Sequence, residues 1–186
     1  MEVTKEKIMK AAIQLLSAST VFTLDEVAQK AGISRRTLHR YFEGREELID
    51  QCKSQILRSC NEAMTKAYNS SNDQVQQLER MLYAAIDTGV KSAFMKKIYE
   101  ATTYSEAQAG GEFTGGDVKS KWFKLILSLQ EEGKINRQLT TAWIFNLFGG
   151  IIDTAILAVD AGDVAKNDVK GFAWFSFANG IGLQNS

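Results

Sequence analysis

Three features of the 186-residue sequence predict an all-α fold. Apolar residues recur at helical spacing through most of the chain, no segment alternates convincingly like a half-buried strand, and proline is absent. Hydrophobic residues make up 45% and charged residues 24%, which supports a buried core and excludes wholesale disorder. Lysine plus arginine number 22, as do aspartate plus glutamate. Affinity for a polyanion must therefore come from a local concentration of charge.

The elements follow in order. Residues 4–19 place Ile8, Ala11, Ala12, Leu15 and Leu16 on one helix face. Thr23 has the position of an N-cap, and Glu26 three residues later completes a capping box. The short helix this opens runs to Ala31, and Gly32 supplies a residue suited to a left-handed turn. Ser34 caps the next helix, expected to run through Tyr41. Residues 23–42 thus spell helix, glycine turn, helix, the form of a helix-turn-helix. Further helices are expected over about 45–69, 72–100, 117–132, 140–161 and 167–183, with a glycine-rich loop at 107–116 that lacks the Gly-Lys-Ser/Thr of a phosphate loop.

Two segments bear on compartment. Residues 142–159 approach the length of a membrane span, but Asp153 and Asn146 interrupt them and no basic cluster flanks them. A helix buried on most sides is the expectation, with no membrane partner. Residues 1–10 alternate charges with isolated apolar residues, unlike a signal peptide. Cys52 and Cys60 lie eight apart; on one helix that is about 12 Å along the axis, too far for a bridge. A reducing, cytoplasmic setting is expected.

The chemistry concentrates in Ile33 to Phe42. Arg35, Arg36, His39 and Arg40 fall within six positions, Lys30 precedes them, and no acid occurs between Val27 and Phe42. Leu38 and Phe42, four apart, can face a core, while Arg35, Arg36 and His39 share an outward face at the start of the helix. A recognition helix presents such N-terminal residues to base edges in the major groove, where an arginine fork can donate twice to guanine. Thr37, Tyr41 and Arg45 have the chemistry of phosphate anchors. Double-stranded DNA is the expected partner.

The run TLDEVAQKAGISRRTLHRYFEGREEL resembles the helix-turn-helix of the tetracycline-repressor (TetR) family. The likeness rests on the Thr before the first helix, the Val-Ala pair, the Ala-Gly-Ile-Ser turn, the Thr-Leu pair, the Tyr-Phe exit and a basic residue before Glu-Glu-Leu. It is specific over roughly residues 4–52 and general beyond. His39 stands where the family often has Tyr, and Arg45 where Lys is common. The resemblance implies a homodimeric transcriptional regulator, usually a repressor, that leaves a palindromic operator when a small molecule binds its C-terminal domain. The domains are read as 1–46, a three-helix DNA-binding domain, and 47–186, a larger helical domain for ligand sensing and dimerisation. The candidate DNA-contacting set is Thr23, Ser34, Arg35, Arg36, Thr37, His39, Arg40, Tyr41 and Arg45.

In the body, the last two helices are apolar on more than one face, which calls for burial on two fronts, a core and a second copy of the chain. Phe148, Ile152, Ile156, Phe172 and Phe175 are the expected interface residues. Ligand candidates are Tyr68, Met81, Phe94, Tyr99, Tyr104, Trp122, Phe123 and Asp153, the last because a buried carboxylate needs a partner. No enzyme activity, metal or cofactor is expected. The one histidine sits in the reader helix, two cysteines and one histidine give no metal-ligand spacing, and Glu131 and Glu132 point in different directions on a helix.

Overall fold

The computed structural model describes residues 2–18, 22–91 and 118–183. Among them all regular structure is helical: α1 Glu2–Ala18, α2 Leu24–Ala31, α3 Arg35–His39, α4 Arg45–Tyr68, α5 Gln74–Lys91, α6 Val118–Glu131, α7 Thr141–Ala161 and α8 Val169–Gly180. The expected continuation of α5 to residue 100 and the loop at 107–116 lie outside the described residues. The chain divides into two units between Arg58 and Ser59, inside α4. The boundary read from the sequence stood at the start of that helix. Leu48, Cys52 and Ile56 of α4 are buried with the N-terminal helices, so the start of α4 packs in the first unit.

The N-terminal unit is built by local signals that agree with its core. Thr23 is extended, and its hydroxyl accepts the Glu26 N–H at 3.2 Å while the Glu26 carboxylate accepts the Thr23 N–H at 2.7 Å. This reciprocal pair satisfies two amide donors at the start of α2. The helix ends at Gly32, whose φ of 67° lies in the left-handed region. A Cβ there would meet nothing within 4 Å, so the glycine answers to backbone conformation rather than to crowding. Ser34 then accepts the Thr37 N–H at 3.1 Å and opens α3. Ile8, Ala12 and Leu16 of α1 meet Val27, Ala28, Leu38, Phe42, Leu48 and Cys52 in one core. Each large side chain buried there contributes roughly 1.5–3 kcal/mol. The Cys52 thiol donates to the Met9 carbonyl, and burial pushes its pKa up to about 12, so at neutral pH it is a protonated core group.

The reader helix is shorter than the sequence suggests. It closes at His39, and the chain tightens as the amides of Arg40 and Tyr41 turn to the carbonyls of Thr37 and Leu38, three residues back. This turn lets Phe42 enter the core while Tyr41 stays half-buried.

The second unit packs around Trp122 of α6, which is 1% exposed. Its ring meets Phe123, Phe145 and Phe148 edge-on at centroid distances of 5.2 to 5.4 Å. Leu78, Met81, Leu82 and Ile86 of α5 complete this core with Ile144 of α7 and Phe177 of α8. At Gly89 the backbone of α5 comes close to α7, and a Cβ there would collide with the Ile156 side chain. Thr140 caps α7 by accepting the Trp143 N–H at 3.2 Å.

Helix α7 is long and apolar enough to cross a membrane by length and composition, with a mean hydropathy of 1.7 over its most apolar window. The sequence called for burial on most sides, but within the single chain only one flank faces the unit's core. Ile144, Phe148, Ala155 and Ile156 point inward, whereas Trp143, Gly150, Asp153 and Leu157 point outward. Helix α8 divides the same way, with Val169, Ala173 and Phe177 inside and Phe172 and Phe175 outside.

Candidate nucleic-acid interface

Helices α2 and α3 position the basic group. Leu38 is fully buried and Phe42 is 1% exposed, so α3 is anchored by its apolar side. Arg35, Arg36, His39 and Arg40 are all exposed. The outward face read from the sequence is therefore present, and it is carried by a five-residue helix whose other side is fixed.

The remaining members of the set sit around this face with separate tasks. Thr37 and Tyr41 are half-buried, and the Arg40 guanidinium lies 5.3 Å from the Tyr41 ring centroid. Arg45 is exposed at the first position of α4 and stacks over Phe22 at 4.7 Å. Thr23 and Ser34 are exposed but engaged within the chain. The Thr23 hydroxyl also donates to Glu26 at 3.0 Å, and the Ser34 and Thr37 hydroxyls lie 2.9 Å apart. Both residues are accounted for by capping, whether or not DNA is present. The Thr23 N–H, then its hydroxyl, hold the Glu26 carboxyl below the usual carboxylate range.

Sequence reasoning missed Asp25. It belongs to the first turn of α2, and its Oδ2 accepts from Arg35 Nη1 at 3.1 Å. Arg35 Nε also lies 3.5 Å from His39 Nε2, a long contact. No helical spacing links residues ten apart on different helices, so only the turn's geometry could have revealed this pair.

Elsewhere several expectations are corrected. Phe148 and Ile156, both 4% exposed, belong to the chain's own core and are unavailable to a partner. Ile152 is half-buried against that core. Phe172 and Phe175 are 60% and 70% exposed, and Trp143 and Leu157 of α7, which the interface set read from the sequence omitted, are exposed as well. Asp153 is exposed on the outer flank of α7, so it is not the buried carboxylate expected. Among the ligand candidates, Met81 and Trp122 are core residues, while Tyr68 and Phe123 pack at its margin. Phe94, Tyr99 and Tyr104 lie outside the described residues.

A capped two-helix reader with an exposed basic first turn, joined to a separate helical unit, defines a helix-turn-helix protein of the DNA-reading class. Residues 8–52 match the family model for bacterial regulatory proteins of the tetR family. The N-terminal unit is thus similar to the DNA-binding domain of that family. The chain is 27% identical to the HTH-type transcriptional repressor LfrR of Mycolicibacterium smegmatis over 116 residues, 62% of this chain and 60% of that relative's length. The structure of the TetR-like regulator LfrR from Mycobacterium smegmatis in complex with proflavine shares this fold, with a TM-score of 0.73 and 21% identity over 97% of each chain. The fatty acid degradation regulator FadR from Bacillus halodurans has the same TM-score at 14% identity, again over 97% of each chain.

Proposed function

We propose that this protein is a sequence-specific DNA-binding transcriptional regulator, a homodimeric cytoplasmic repressor that leaves a palindromic operator when a small molecule binds. The observation that carries the reading is the exposed Arg35, Arg36 and His39 face on a helix anchored by Leu38 and Phe42. In this reading Arg35 and Arg36 reach base edges, while Thr37, Tyr41 and Arg45 hold phosphates and fix register. Residues 1–46 read DNA and residues 47–186 sense and dimerise, with the start of α4 completing the reader's core.

The exposed Trp143, Leu157, Phe172 and Phe175 support the dimer, since large apolar side chains left in water on two helices that pack together are explained by a partner that covers them. An effector is supported by the likeness to LfrR, whose structure was solved with a bound small molecule. LfrR was solved with proflavine, so proflavine is the first probe to titrate, read by tryptophan fluorescence.

The test of DNA reading is a titration of the wild type and an Arg35→Ala/Arg36→Ala variant against duplexes enriched by the wild type, at matched salt. Loss of preference for the enriched duplex, by about tenfold or more, is expected with the dimer intact. Unchanged preference would refute the assignment.

A further inference from the structure

We propose that Asp25 is a positioning residue for base recognition: its carboxylate holds the Arg35 guanidinium in the orientation that meets a base edge. The inference rests on the DNA-reading function proposed above. Its ground is the ion pair between Arg35 Nη1 and Asp25 Oδ2 at 3.1 Å, which joins the first turn of α2 to the first residue of α3.

This pair has no evident task in the fold. The two side chains are 67% and 59% exposed, so the contact screens little apolar surface. The helices it joins are already fixed by the Thr23–Glu26 box, the left-handed Gly32, the Ser34 cap and the buried Leu38. What it does restrain is a long side chain with many rotamers at the place where direction matters. Arginine has five N–H donors in a planar fork. Asp25 takes one on Nη1, which leaves the second Nη1 proton and both on Nη2 for the O6 and N7 acceptors of a guanine. A fork held by a carboxylate loses less freedom when it binds. Arg36, its neighbour, has no carboxylate partner among the described residues and serves as the internal control.

The experiment uses the full chain. Wild-type protein selects duplexes from a random pool. The wild type, Asp25→Asn, Arg35→Ala, Arg36→Ala and the Asp25→Asn/Arg35→Ala double variant are then titrated against the selected operator and each of its single-base-pair substitutions. Exposed ion pairs shift an equilibrium by up to about fivefold. Asp25→Asn is therefore expected to lower preference at one base pair per half-site about two- to fivefold. The other positions, including the one that Arg36→Ala affects, keep their preference. In the Arg35→Ala background, Asp25→Asn is expected to change nothing further at that base pair. Two results overturn the inference while leaving DNA reading in place: a base profile identical to wild type, or an affinity change equal for all duplexes, which would make Asp25 only a charge that repels phosphates. Failure of the wild type itself to enrich any sequence would refute DNA reading, and the inference with it.

Discussion

Removing Phe172 and Phe175 together is expected to separate the dimer without unfolding the chain. Burying a whole phenylalanine is worth about 1.5–3 kcal/mol. These two are 60% and 70% exposed in the single chain, so a partner can still gain roughly 1–2 kcal/mol from each. Two-fold symmetry counts both residues twice, giving about 4–8 kcal/mol for the four side chains. At about 1.4 kcal/mol per tenfold, even the lower figure weakens the dimer by nearly a thousandfold. Both residues lie on the flank of α8 opposite the buried Val169, Ala173 and Phe177. Phe172→Ala/Phe175→Ala should therefore change the stability of the single chain by no more than about 0.5 kcal/mol per site. Sedimentation equilibrium at micromolar protein gives the dimer constant, and thermal melting followed by circular dichroism reports the fold. A dimer constant within tenfold of wild type would refute the assignment of this face.

The other predictions concern the reader and the two cores. Arg45→Ala should weaken binding to all duplexes about equally and reduce the salt slope by about one, and a loss confined to one operator base would contradict its place as a phosphate anchor. Thr23→Ala should cost about 1 kcal/mol in chemical denaturation by opening the capping box. Because the folded-state pKa of Glu26 is lowered, its contribution is present above the ordinary carboxylate range and lost as pH falls through the folded pKa. The stability gap between the wild type and Glu26→Gln should accordingly close in acid, and a gap that widens there would reverse the sign. Trp122→Ala should cost about 3–5 kcal/mol, since the ring is fully enclosed by aromatic neighbours, and a loss under 1 kcal/mol would place it outside the core.

What the sequence disclosed was local. The Thr23–Glu26 box, Gly32 and Ser34 act through neighbours three or four residues away, so spacing alone locates them, and the structure places all three as expected. The early end of α3 was less legible, because the turn after His39 is set by Phe42 reaching the core. Asp25 was hidden for a related reason: its partner lies across the turn, and no periodicity connects them.

The terminal helices show the opposite difficulty. Phe148, Ile152 and Ile156 follow a helical spacing as regular as any interface stripe, yet two of them are core. When a helix is apolar on most sides, hydrophobicity no longer tells which flank meets its own chain. The outer flank of α7 is marked instead by Trp143, Gly150 and Leu157, seven residues apart, with Asp153 among them. A carboxylate in an apolar stretch was thus a sign of the accessible side rather than of a buried site.

The most direct test of the central claim is selection from random duplex DNA with the purified full chain at near-physiological salt. The account predicts an inverted repeat whose half-sites are spaced for two reader helices, with enrichment lost in the Arg35→Ala/Arg36→Ala variant. A folded, dimeric protein that enriches no sequence, with no small molecule bound, would contradict it.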